Sequence, residues 1–93
     1  DAGFRTAFAG TAIKRTGRDR FVRNVLIAIG NSAEPGLAGA ARQLIADPSP
    51  LVRAMAVWAL ARLLDRAAFA DLRLRHATTE PDDAVRAEWV KNV

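Results

Sequence analysis

A ten-residue pattern recurs three times in this chain of 93 residues: FVRNVLIAIG at 21–30, LVRAMAVWAL at 51–60 and AVRAEWVKNV at 84–93. The copies align on a Val-Arg pair at 22–23, 52–53 and 85–86, spaced by 30 and then 33 residues. A turn-like segment precedes each copy: TGRDR, DPSP and EPDD. A self-match of this period is what stacked helical pairs produce, because one pair cannot bury its apolar face alone and its neighbours must cover it. Composition agrees. The chain is 51% hydrophobic, with Ala and Leu prominent and only 6 Gly and 4 Pro, a balance that favours helix. The expectation is an all-α fold, an α-α superhelix of about three short helical-pair units over approximately 1–31, 32–65 and 66–93. That gives six helices in three antiparallel pairs, with the Val-Arg helices stacked along one side.

The period is shorter than the ~40–47 residues of longer HEAT repeats, so the array is best called HEAT-like. In the middle unit Leu37, Ala40, Ala41, Leu44 and Ile45 recur at helical spacing. Asp47-Pro48 ends that helix, since the residue before a proline avoids the helical region. Ser49 caps the next helix and Pro50 opens it, where a missing N–H costs nothing. Its buried side is expected to be Leu51, Val52, Met55, Ala56, Ala59, Leu60 and Leu63, with Trp58 at the seam with a neighbouring unit. The first unit reads as a short helix around Phe4 and Phe8, a basic loop, and a helix from about Arg18 to Ile29. Gly30-Asn31 closes it, with glycine in the left-handed position. Phe21, Val22, Val25, Leu26, Ala28 and Ile29 form its buried side, while Arg20, Arg23, Asn24 and Ile27 share another stripe. The third unit carries a helix from about Arg66 to His76 and another running to Val93. Trp89 and the Phe4/Phe8 face are expected to be partly uncovered at the two ends.

Charge is distributed unevenly. Residues 1–31 hold six Lys or Arg against two Asp, whereas residues 32–93 hold eight of each sign, so the whole net charge of +4 lies in the first third. Lys14, Arg15, Arg18, Arg20 and Arg23 fall within ten positions. Cations placed at a helix start are unfavourable by ~0.3–1 kcal/mol each when exposed, so folding alone would not ask for them there. A phosphate-binding surface is one reading, since Arg favours bidentate phosphate contacts and Asn24 adds a neutral donor. A solvated helix face is the other.

Nothing in the chain reads as catalytic. His76 is the only histidine, with no nucleophile-base set around it, and suits a surface or helix-end role. Glu80, Asp82 and Asp83 sit at a helix start, where acids complement the dipole. There is no cysteine, which excludes a disulfide, a thiolate metal site and a cysteine-held cluster within these residues. No metal site and no cofactor are expected in this stretch. No apolar run approaches the ~18–20 residues that span a bilayer, so no membrane contact is expected, and a cytoplasmic location fits. The chain starts without Met and is read as part of a longer polypeptide. Arg53 and Arg86 each follow a turn carrying an acid, Asp47 and Glu80, and are expected to brace those turns. Arg23 holds the equivalent slot, but its turn has Gly17 in place of the acid. That makes Arg23 the better candidate for an external anion.

The segment FAGTAIKRTGRDRFVRNVLIAIGNS resembles the entry to the C-terminal HEAT-like repeats of the epoxyqueuosine reductase family. Phe8, Gly10, Thr11, Arg15, Gly17, Phe21, Arg23, Asn24, Ala28, Gly30 and Asn31 match that family's pattern in order. DPSPLVRAMAVWALARL resembles its repeats too, though it also resembles those of unrelated HEAT-like proteins. The resemblance implies a parent enzyme that reduces epoxyqueuosine to queuosine in tRNA, using cobalamin and two [4Fe-4S] clusters held in N-terminal catalytic domains. It implies that the repeats grip the tRNA anticodon stem-loop through Lys14, Arg15, Arg18, Arg20, Arg23 and Asn24, or that this motif faces the cofactor domain. Two other classes compete. A protein-protein interaction scaffold is the commonest use of such repeats. HEAT-like DNA glycosylases use a basic concave surface, but they need a longer array and a pocket with a positioned acid.

Overall fold

The computed structural model describes the backbone of residues 11–91 and the side chains from residue 17 onward. Among the described residues every regular element is helical: α1 Thr11–Asn31, α2 Ala38–Gln43, α3 Pro50–Leu63, α4 Arg66–His76 and α5 Asp83–Lys91. Short 3-10 turns flank α2 at Pro35–Leu37 and Leu44–Ala46, and another, Ala77–Thr79, follows α4. The expected helix around Phe4 and Phe8 lies outside the described residues, as does the end at Val93.

The Val-Arg helices form the spine. The largest interhelix contacts join α1 to α3 and α3 to α5. Val52 and Val85 are fully buried and Val22 packs against the same core. Leu26, Ala56, Val57, Ala59 and Leu60 complete its centre, Ala41 and Ile45 contribute from the α2 segment, and Phe69 and Leu72 from α4. Burying a Leu or Val side chain is worth ~1.5–3 kcal/mol relative to exposure, so this column is where the stack gains its stability.

The helix starts follow the sequence chemistry. Ser49 Oγ accepts from the Val52 N–H at 3.4 Å, with Pro50 in the first turn. Asp65 Oδ1 accepts from Ala68 N–H at 2.7 Å. Asp82 Oδ1 accepts from the N–H groups of Ala84 and Val85 at 2.9 and 3.1 Å.

Several expectations are corrected. The segment TGRDR is not a turn: α1 runs unbroken from Thr11, so there is no basic loop at 14–18. Arg18, Arg20 and Arg23 are therefore interior to the helix, away from the positive end of its dipole. Gly30 lies inside α1, and the left-handed residue is Ala33, at φ 56°. What requires glycine at 30 is packing: a Cβ there would collide with Cζ3 of Trp58. Trp58 thus sits at the α1–α3 seam, as its position suggests. Phe21, Val25 and Ala28, expected inside, are exposed, as are Leu37, Ala40 and Leu51. Trp89, expected near an open end, is fully buried. Its ring packs at 5.3 Å from that of Phe69 and stacks at 6.1 Å over His76.

Candidate functional site

Two acidic turns organise the side-chain chemistry of the stack. The Asp47 carboxylate accepts the Ser49 N–H at 3.0 Å, and the Glu80 carboxylate accepts the Asp82 N–H at 2.9 Å. Each acid thus tightens the turn that starts α3 or α5. Both are buried, with side chains only 5% and 7% exposed, so each needs a cation.

Arg53 supplies the cation for Glu80. Its Nε and Nη2 reach the two carboxylate oxygens at 2.9 Å each, in the fork geometry that suits guanidinium and carboxylate. Its Nη1 donates to the carbonyls of Asp47 and Pro48 at 2.9 and 3.0 Å. Arg86 repeats half of this, donating to the Glu80 carbonyl at 2.6 Å and pairing with Asp83. Both arginines brace their own turns as expected, but through backbone carbonyls. Arg53 takes its carboxylate from the following turn, and so stitches α3 to α5.

Arg18 supplies the cation for Asp47. Its Nη2 lies 2.6 Å from Asp47 Oδ1 and its Nη1 3.0 Å from Oδ2, with Asp19 also 3.0 Å from Nη1. Arg18, expected among the cations presented to RNA, thus has a counter-charge within the stack. A buried carboxylate claims it, because the alternative is an uncompensated charge inside the stack. Electrostatics follows: the hydrogen bonds to Asp47 and then Asp19 hold the guanidinium more firmly protonated than usual. Burial opposes ionisation of Asp47 and Glu80. That burial is the largest single influence, but the hydrogen bonds from Arg18 and Arg53, the turn N–H of Ser49 or Asp82 and the attraction of the nearby guanidiniums together outweigh it, and both carboxyls stay below the ordinary range.

The remaining candidates lie on α1. Arg20 is exposed and has no acidic partner among the described residues. Arg23 Nη2 donates to the Asn24 side-chain oxygen at 3.2 Å, while its Nε is buried with no hydrogen-bond partner. Asn24 is exposed beside it. Arg20, Arg23 and Asn24 form one edge of α1 at helical spacing. Lys14 and Arg15 have helical backbone, but their side chains fall outside the described residues.

Sequence reasoning missed one cluster. Arg62 lies with its guanidinium carbon 5.2 Å from the centre of the Trp58 ring and donates from Nε to the Gly30 carbonyl at 3.0 Å. Trp58 and Arg62 are four apart on α3, a spacing that places them on one face. Only the approach of α1 gives that face its partner. Among the described residues no group of His, Asp and Glu is arranged to hold a metal ion. No helix there is long and apolar enough to cross a membrane.

Stacked helical pairs, capped by Pro-containing turns and tied by an arginine from one unit to the acid of the next, define a helical-repeat protein. Residues 11–92 match the family of HEAT repeats, and the chain belongs to that family. An epoxyqueuosine reductase of Alicycliphilus denitrificans is 39% identical over 70 residues, a match covering 67% of this chain and 19% of that enzyme. The chain thus corresponds to a minor part of that relative's length. No solved structure matches it.

Proposed function

We propose that this HEAT-repeat chain is the tRNA-binding module of an epoxyqueuosine reductase, gripping the anticodon stem-loop so that the modified base reaches a centre built elsewhere. The observation that carries the reading is the edge of α1. Arg20 and Arg23 have no acidic partner among the described residues, although Arg18, Arg53 and Arg86 all do. Cations without local counter-charges are what a phosphate backbone neutralises, releasing its counterions. Asn24 adds donors to the same edge. Likeness to a named epoxyqueuosine reductase supports the choice of tRNA as the partner, and a cytoplasmic setting is part of the same proposal.

In this reading the chemistry belongs to the parent enzyme, an oxidoreductase. Cobalamin and two [4Fe-4S] clusters would reside in N-terminal catalytic domains of the same polypeptide. The chain has no cysteine to hold a cluster. The role is positioning.

The test is a salt titration of anticodon stem-loop binding. Arg20→Ala/Arg23→Ala should weaken binding and flatten its salt dependence by about 0.7–0.9 log units of slope per lost phosphate contact. Binding that is weak and insensitive to salt before any substitution would remove the RNA reading.

A protein-binding role has its own support. Phe21, Val25 and Ala28 form an exposed apolar stripe on α1, Phe21 at 69% and Val25 at 40% exposure. They align with Leu51, Met55 and Trp58, and Trp58 is what α3 sets against Gly30 of α1. The stripe is the counterpart of a stacking face, suited to the catalytic domains or to another helical protein.

A further inference from the structure

We infer that Arg18 and Arg23 compete for a single acid, Asp47, and that Arg18, by holding it, keeps Arg23 available to a phosphate. The inference rests on the RNA-binding reading and adds a positioning residue to it.

The argument comes from the register of the repeats. Arg53 precedes α5 by one unit and takes the buried acid of the intervening turn, Glu80, through Nε and Nη2. Arg23 aligns with Arg53, and Asp47 aligns with Glu80. Repeat geometry therefore offers Asp47 to Arg23. In the structure that place is taken: Arg18 Nη2 and Nη1 occupy both Asp47 oxygens, at 2.6 and 3.0 Å. Arg18 has no counterpart in the later Val-Arg helices, because its alignment position, 48, falls in the turn before α3. It exists as a helical residue only because α1 continues toward its N-terminus past the point where α3 begins. The extra helical length brings a second guanidinium to an acid that needs one.

Arg23 shows the consequence. Its Nε is buried and unpartnered, and its one hydrogen bond among the described residues runs to the neutral side chain of Asn24. With Nε enclosed, the two Nη groups, one of them shared with the solvent-facing amide of Asn24, are what this guanidinium offers a phosphate oxygen. Were Arg18 absent, the same group would fall onto Asp47, as Arg53 does onto Glu80, and would no longer be presented.

The test uses the full chain and anticodon stem-loop RNA, with salt slopes measured for a set of variants. Arg23→Ala should lose about 0.7–0.9 log units of slope, the value for one phosphate contact. Arg18→Ala should lose about the same amount, although Arg18 touches no phosphate, and Arg18→Ala/Arg23→Ala should lose no more than either. Arg18→Ala/Asp19→Asn/Asp47→Asn should recover the slope of the unaltered protein, because Asp19, four residues before Arg23 on α1 and likewise freed by the loss of Arg18, is then removed together with Asp47. The Asn side chain still accepts the Ser49 N–H. Additive losses for Arg18 and Arg23, an unaltered slope in Arg18→Ala, or no recovery in the triple variant would each overturn the inference. A second readout needs no RNA: the Asp47 carboxyl carbon followed by NMR through an acid titration. Arg53 and the Ser49 N–H also hold that carboxyl down and are present in every variant, so its pKa should stay nearly unchanged in Arg18→Ala and rise when Arg23 is also replaced. A rise in Arg18→Ala alone would overturn the exchange. If instead Arg23→Ala leaves the slope unchanged while the titration behaves as expected, the exchange stands and the RNA reading of Arg23 fails.

Discussion

At the scale of single residues, the arginines of this protein divide by what they neutralise. Arg53 satisfies a buried carboxylate and two carbonyls at once. Arg53→Ala is expected to cost ~1–3 kcal/mol, the range for stranding a buried acceptor. Arg18→Ala should cost less than Arg53→Ala, because Arg23 stands in reserve for Asp47. Urea melts of the two variants check the order, and equal losses would show that the reserve does not operate. Arg20→Ala, at an exposed site with no acidic partner among the described residues, should stay within ~0.5 kcal/mol.

At the scale of the helix, α1 holds two glycines with opposite meanings. Gly17 lies within the helix, and an added Cβ would meet nothing within 4 Å. Glycine in such a place is ~1 kcal/mol worse than alanine, so Gly17→Ala should raise the melting temperature. Gly30 is equally helical, yet its Cβ would be driven into the Trp58 ring, against which Arg62 also lies. The ring would have to leave the seam between α1 and α3. Overpacking of this kind costs ~1–3 kcal/mol and outweighs the propensity gain, so Gly30→Ala should lower the melting temperature. Thermal unfolding of the two variants, one up and one down, tests the packing of α1 on α3.

At the scale of the whole molecule, the stack is cross-linked by Arg18–Asp47 between α1 and the α3 turn, and by Arg53–Glu80 between α3 and the α5 turn. Both carboxyls titrate below their ordinary range in the folded state. The folded state therefore binds fewer protons than the unfolded one near pH 4, where free Asp and Glu have pKa values of about 3.9 and 4.3. The stabilisation is fully present above about pH 5. It declines as pH falls through the unfolded values toward the lower folded ones. Denaturant midpoints should hold steady from neutral pH to about pH 5 and then fall. Asp47→Asn/Glu80→Gln should start lower and show a flatter acid limb. An acid limb as steep as that of the unaltered protein would place the linkage on other groups.

How much of this the sequence determined follows from the range over which each interaction acts. The Val-Arg self-match fixed the helical repeat, because apolar period and turn chemistry are local and each copy repeats them. Pro48, Ser49 and Pro50 set the start of α3 within a few residues, and Asp82 did the same for α5. The bracing of turns by Arg53 and Arg86 was legible because each lies six residues from the carbonyl it holds. The continuous α1 was not. TGRDR carries turn residues, yet the segment is helical, and a local signal of that kind decides nothing once Arg18 is anchored by Asp47, 29 residues away. Burial of the α1 face was likewise beyond the pattern: Phe21 and Val25 obey the same period as Leu26 and Ile29, and only the position of α3 separates covered from open. The choice of Arg18 over Arg23 for Asp47, and with it which arginine is left over for an anion, is a contest between side chains of equal chemistry. Sequence can nominate both contestants. Three-dimensional reach settles it, since one carboxylate has two oxygens and Arg18 takes both.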